Sequence, residues 1–140
     1  MLILDTNVVS EVLRPEPNET VVTWFESQPR HQLFTTAVTQ AEIYYGINLL
    51  PEGSRRQKLL AVAQLIFEED LENRVLPFSS EAASHYAELA AGRRSLGRPI
   101  SQFDGMIAAV ARLHGANVVT RNTTDFDHCG IDVVNPWSRQ

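Results

Sequence analysis

Residues 1–17 read MLILDTNVVSEVLRPEP. Three aliphatic residues, Leu2 to Leu4, run straight into Asp5; Thr6 and Asn7 follow before apolar residues return. The aliphatic run predicts a short buried strand. The segment Thr6–Leu13 has helical character and is stopped by Pro15 and Pro17. A strand that feeds a helix is the opening unit of an α/β domain. The carboxylate at the junction is costly unless something compensates it. Asp5 therefore either caps the helix or holds something positive.

The alternation continues along the chain. Helices are expected at Thr20–Ser27, Val38–Leu50, Arg55–Leu71, Glu81–Leu96 and Gln102–His114. Strands are expected at Leu33–Thr35, Val75–Phe78, Asn117–Thr120 and Ile131–Val134. Val38–Leu50 reads as largely buried, and Arg55–Leu71 as one long amphipathic helix. The pair Trp24/Phe25 reads as core, and so does Tyr44/Tyr45 unless one of the two lies at a pocket rim. Strands alternating with helices predict a mainly parallel sheet with helices on both faces. Sites in such sheets form outside the carboxyl ends of the strands.

A chain of 140 residues is read as a single domain, 1–140, large enough to fold without staples. Its one cysteine, Cys129, excludes an internal disulfide and fits a reducing cytoplasm. No basic region precedes the apolar start, so no signal peptide is expected, and no apolar run is long enough to span a membrane. The net charge of −5 argues against coating nucleic acid non-specifically, but not against acting on it. The twelve basic residues are all arginine except Lys58. Two clusters, Arg55/Arg56/Lys58 and Arg93/Arg94/Arg98, are candidates to guide a phosphate backbone or are simply solvated helix faces.

Four acids stand out. Asp5 follows a strand; Glu42 lies in TTAVTQAEIYYGI after the strand LFT; Asp104 lies in PISQFDGMIAAVARL; Asp125 lies in VVTRNTTDF. Taken singly, capping explains them. Thr39–Glu42 has the form of a capping box, Ser101–Asp104 nearly so, and Asp5 suits an N-cap. Taken together, they sit where a parallel sheet gathers strand ends and helix starts, beside apolar neighbours. Carboxylates crowded into a partly dry place raise one another's pKa unless a cation neutralises them. Mg²⁺ or Mn²⁺ is the natural cation for such oxygen ligands, and phosphate-ester hydrolysis its natural chemistry. Other chemistries find little support. His31, His85, His114 and His128 show no metal-ligand spacing, and neither a Gly-rich dinucleotide motif nor a P-loop is present.

The segments LDTNVVSEVLRPEP, TTAVTQAEIYYGI, GRPISQFDGMIAAVARLHG, VVTRNTTDF and VVNPW, in this order and spacing, resemble PIN-domain proteins. The resemblance is closest to the VapC/FitB-like toxins of type II toxin–antitoxin systems and runs from Met1 to Trp137. It implies a PIN-like three-layer α/β/α sandwich around a central, mainly parallel sheet. It implies a Mg²⁺- or Mn²⁺-dependent endoribonuclease, with the family's acidic positions falling on Asp5, Glu42, Asp104 and Asp125. Asp5 and Asp104 would bind the metal, and Glu42 and Asp125 would assist directly or through water. Asp127 lies close enough to be confused with Asp125. Thr6, Asn7, Thr120 and Asn122 would orient carboxylates or water. The implied partners are a cognate antitoxin of the VapB/FitA type and an RNA substrate, with operator DNA reached only through the antitoxin. A cytoplasmic homodimer that joins a higher toxin–antitoxin assembly is implied as well.

Two further readings stay open at this point. One is a phosphatase or phosphotransferase with Asp5 as covalent nucleophile, although Asn7 stands where a second Asp would act. The other is a non-catalytic PIN-fold module whose acidic pocket receives an arginine-bearing peptide. Leu49, Leu60 and Leu65 either join the core or face a partner.

Overall fold

The computed structural model describes residues 1–138. Five parallel strands form the sheet: β1 (Leu2–Leu4), β2 (Leu33–Thr36), β3 (Val75–Leu76), β4 (Asn117–Val119) and β5 (Val133–Val134). Their order is β3-β2-β1-β4-β5, so β1 is central. Six helices cover the sheet: α1 (Thr6–Val12), α2 (Glu19–Glu26), α3 (Ala37–Asn48), α4 (Ser54–Leu65), α5 (Ser80–Ser95) and α6 (Gln102–His114). The expected α/β/α sandwich is present, and every strand pair among the described residues is parallel.

Side chains alternate across the sheet, and both faces are covered. Ile3, Phe34, Leu76, Val118 and Val133 point into one core, where they meet Ala82 and Leu89 of α5 and Ile107 to Ala111 of α6. Leu2, Leu4, Leu33, Val75, Val119 and Val134 point into the other, with Val8, Val9, Trp24, Ile43, Ile47 and Ala63 from the first four helices. Burial on both faces makes these strands read as continuous apolar runs rather than alternating ones.

Three expectations about helices are corrected. Val38–Leu50 is not largely buried: α3 buries Val38, Thr39, Ile43 and Ile47, while Tyr45 and Leu49 are 58% and 71% exposed. It lies on the sheet by one face only, so the apolar residues on its other face are left in the open. Tyr45 is accordingly not core, whereas Tyr44 packs edge-on against Phe67 and Trp24/Phe25 are core as expected. Arg55–Leu71 is not one helix either. α4 ends at Leu65 and a wider π-type turn, Ile66–Asp70, takes over and drops Phe67 and Leu71 into the core.

Chain order reverses around β1: β2 and β3 extend the sheet one way, β4 and β5 the other. The crevice between the carboxyl ends of β1 and β4 is therefore the switch point where α/β sheets place their ligands. α6 also begins near this edge, and its fit there is tight. A Cβ on Gly105, the residue after Asp104, would lie 2.8 Å from Tyr86 Cε2 and 3.3 Å from Ile100 Cγ2. Gly→Ala inside a helix ordinarily gains up to about 1 kcal/mol. Here overpacking reverses the sign, and Gly105→Ala is expected to lose about 1–3 kcal/mol. The shift of the urea midpoint measures it, and a midpoint at or above the parent's would contradict the packing described.

Candidate active site

β1 ends at Leu4, but pairing persists one residue further: the Asp5 amide donates to the Val119 carbonyl at 2.9 Å. That bond fixes where the Asp5 side chain leaves the sheet. The side chain is buried, at 4% exposure for the residue. Its Oδ1 accepts the Thr6 amide at 2.8 Å, so Asp5 does cap α1. Its Oδ2 accepts the Thr120 hydroxyl at 2.8 Å and the Asn7 side-chain amide at 3.2 Å. Asn7 Nδ2 also lies 3.1 Å from Thr120 Oγ1, and Asn7 Oδ1 accepts the Arg121 amide at 3.2 Å. Thr120 Oγ1 further accepts the Asn122 amide at 3.1 Å. Thr6, Asn7, Thr120 and Asn122 thus gather around one carboxylate, Asn122 through its backbone.

Glu42 lies half-buried in the second turn of α3. Its Oε1 accepts the Thr6 hydroxyl at 2.7 Å, and Thr6 Oγ1 stands 3.1 Å from Thr39 Oγ1. A carboxylate only accepts, so Thr6 donates to Glu42 and Thr39 donates to Thr6. The capping-box reading of Glu42 is corrected here. The N-cap of α3 is Thr36, whose hydroxyl accepts the Thr39 amide at 3.1 Å. Glu42 is too far inside the helix to cap it and is turned toward Thr6 of α1.

Asp104 stands in the first turn of α6, where Ser101 is the N-cap and accepts the Asp104 amide at 3.3 Å. The capping reading holds for Ser101. Asp125 is exposed, in the tight turn Thr123–Phe126 that follows β4.

The four acids influence one another. Burial pushes the Asp5 carboxyl up to about 6, and the charges of Asp104 and Glu42 push the same way against the hydrogen bonds from Thr120 and Thr6. Burial also raises Asp104; a bond with Ser101 opposes it, Asp125 adds to it, and the charge of Arg93 opposes it. Coupling therefore runs from Glu42 through Asp5 and Asp104 to Asp125. None of the four forms an ion pair with a basic side chain among the described residues. Nor, among these residues, is any group of three His, Cys, Asp or Glu side chains placed to enclose one metal ion. The set runs from buried Asp5 through half-buried Glu42 and Asp104 to exposed Asp125, and the donors that hold Asp5 and Glu42 are all neutral. A hard divalent cation that takes one or two carboxylates and keeps several waters fits such a set; a closed all-protein cage does not.

Of the Arg93/Arg94/Arg98 cluster, only Arg94 and Arg98 are exposed. Arg93 is buried, and Arg98 is paired with Asp127 at 3.6 Å. Arg55 and Lys58 are exposed, on α4. Two contributors escaped the reading of the sequence: Thr39, which looked like a cap, and Arg93, which looked like solvent-facing charge. A 400 Å³ apolar cavity between α1, α2 and the π-type turn, lined by Val9, Val12, Phe25 and Ile66, contains none of the four acids. The four acids lie instead at the carboxyl edge of the sheet, where Asp125 is exposed.

The PIN domain family model matches residues 2–131. The chain belongs to the PIN-domain family. It is 39% identical to the VapC ribonuclease Y4jK of Sinorhizobium fredii, over 98% of each chain. It is 38% identical to toxin FitB of Neisseria gonorrhoeae, over 98% of this chain and 99% of that one. These matches place it with the VapC/FitB toxins. Among solved structures it resembles FitAB bound to an IR36 DNA fragment, with TM-score 0.93 and 37% identity over 100% of this chain and 98% of that chain. DNA-bound VapBC from Salmonella typhimurium gives TM-score 0.82 at 28% identity, over 96% and 97%.

The raised Asp5 carboxyl has a consequence for stability. Between its ordinary value of 3.8 and about 6, this PIN domain holds a proton that the unfolded chain has released. Stability therefore falls as pH rises through that window, and the cost is complete above it, at about 3 kcal/mol. Asp5→Asn removes the charge. In metal-free buffer at pH 7.5 it is expected to stabilise the fold by roughly 1–3 kcal/mol, with the gain fading toward pH 4. Urea unfolding across pH checks this; a variant less stable than the parent at pH 7.5 would contradict it.

Proposed function

We propose that this chain is the toxin of a type II toxin–antitoxin pair and acts as a Mg²⁺- or Mn²⁺-dependent endoribonuclease in the cytoplasm. The observation that carries the reading is the row of mutually repelling, unpaired carboxylates at the switch point, centred on buried Asp5. The ribonuclease names of its relatives point the same way. Asp5 and Asp104 hold the cation. When bound, it supplies the positive charge that a phosphodiester under attack requires and acidifies the attacking water. Thr6 fixes one oxygen of Glu42 and leaves the other to accept from water. Asp125, exposed in the turn after β4, accepts from water as well. Asn7 and Thr120 keep the Asp5 carboxylate in one orientation. A site at the sheet edge whose outermost acid, Asp125, is exposed suits a single strand or loop of RNA, whose backbone can be splayed across it.

The other two readings fare less well. Both oxygens of Asp5 are engaged by three donors, which suits a ligand better than a nucleophile. A non-catalytic peptide receptor needs fewer acids than are present. The partner reading is supported by the surface. Leu49 and Leu65 are 71% and 51% exposed, while Leu60 is half-buried. Val12, Leu13, Leu59 and Val62 line a groove between α1 and α4 whose rim carries Arg14, Arg55 and Lys58. An amphipathic antitoxin segment with acidic residues fits such a groove. The FitAB and VapBC relatives are bound to DNA as complexes. With a net charge of −5, this chain would reach operator DNA through its antitoxin and not by itself. The toxin is taken to be a homodimer.

The test is cleavage of a mixed RNA pool by the purified, partner-free chain with Mg²⁺, with Mn²⁺ and with EDTA. Cutting is expected with either metal and is expected to vanish in EDTA and in Asp104→Asn. Cutting that survives EDTA, or that survives Asp104→Asn, would overturn the reading. Thr6→Val frees Glu42 without touching Asp5's side-chain bonds. It is expected to lower the cleavage rate about 10- to 100-fold while leaving the circular dichroism spectrum unchanged. An unchanged rate would remove Glu42 from the machinery.

A further inference from the structure

Arg93 stands in the last turn of α5 and is only 5% exposed. Arginine normally keeps its head in water or meets a carboxylate when buried. Arg93 does neither: among the described residues it has no ion-pair partner. Its planar fork is spent on main-chain carbonyls. Nε donates to Arg98 O at 2.6 Å, and Nη1 donates to Asp125 O at 2.9 Å and to Asp127 O at 3.0 Å. Nη1 also stands 3.7 Å from the sulfur of buried Cys129.

One side chain thereby ties three pieces of chain together: the end of α5, the connection into α6 at Arg98, and the segment after β4. The third piece has little regular structure of its own. It is a four-residue tight turn followed by His128 at φ 60° and Gly130 at φ 75°, and it ends in a two-residue strand. The Arg98–Asp127 pair at 3.6 Å crosses the same seam from outside. Both sides of the seam carry site acids. Asp125 bears one of the bonded carbonyls, and Asp104 lies a few residues beyond Arg98 in the first turn of α6. A leucine would fill the space more cheaply than a guanidinium. What a leucine lacks is a fixed fork able to hold carbonyls from two separate segments.

We propose that Arg93 is a positioning residue, which holds the carbonyls of Arg98, Asp125 and Asp127 on one guanidinium and thereby sets Asp125 against Asp104. The kinetic consequence rests on the nuclease reading above; the structural one rests on the geometry alone. Arg93→Lys keeps the charge and the stem but not the fork, and Arg93→Met keeps only the stem. Amide exchange on the metal-free protein reads the tie directly. In Arg93→Lys, amides of residues 122–130 are expected to exchange about 10- to 100-fold faster, with β1 and β4 as protected as in the parent. Unchanged exchange in 122–130, or a uniform rise that includes β1 and β4, would overturn the proposal.

Single-turnover RNA cleavage gives the second readout. Arg93→Lys is expected to lower kcat at least tenfold with KM within about twofold, and to cost nothing further in an Asp125→Asn background. An equal cost in both backgrounds would show that Arg93 does not act through Asp125 and would sink the proposal. If the parent cuts no RNA, the nuclease reading fails, while the exchange measurement still decides whether Arg93 ties the seam. If Arg93→Met does not fold, Arg93→Lys alone decides.

Discussion

Asp5 leaves the central strand with its amide still bonded to Val119 of the neighbouring strand, so its carboxylate has no freedom to seek water. Parallel pairing of β1 with β2 and β4 places that residue at the floor of the switch-point crevice. Everything around it follows from the need to manage a charge there. Thr6, Asn7 and Thr120 supply neutral donors. Neutral donors orient a carboxylate but do not cancel its charge, and two more acids, Glu42 and Asp104, stand close enough to make ionisation harder still. An arrangement of this kind is a poor way to stabilise a fold. On the metal-dependent reading proposed above, it is stability given up so that a cation has somewhere to go.

The rest of the fold serves this edge. α1 starts at Asp5, α3 brings Glu42 back to Thr6, and α6 starts two residues before Asp104. The turn after β4 carries Asp125, and Arg93 reaches across from α5 to hold it. The apolar cavity beneath α1 and α2 and the basic-rimmed groove between α1 and α4 lie apart from the acids.

Much of this was legible in the sequence because the signals were local. Aliphatic runs bounded by Asp, Thr or Gly marked the strands, and Gly115 closes α6 in the left-handed conformation that its position predicts. The convergence of Asp5, Glu42, Asp104 and Asp125 was legible because a parallel sheet collects strand ends on one edge. What escaped were features decided by long-range geometry. Thr39 and Glu42 match a capping box letter for letter, yet Thr36 takes the cap because α3 starts at Ala37, straight off β2, which leaves Thr39 and Glu42 inside the helix. Arg93 sits in a run of charges that looks solvated, and only the returning segment 125–129 turns it inward. Tyr45 reads as core and Leu49 stays undecided between core and partner because periodicity shows that a face is apolar without showing what covers it; both are exposed.

The central claim is that Asp5 carries an uncompensated charge awaiting a cation. Titration of the Asp5 carboxyl carbon by NMR, without divalent ions and then in excess Mg²⁺, tests it most directly. The account predicts a midpoint near 6 in the metal-free protein and a large downward displacement once Mg²⁺ is present. An ordinary carboxylate midpoint that Mg²⁺ does not move would contradict it and return Asp5 to the role of a helix cap.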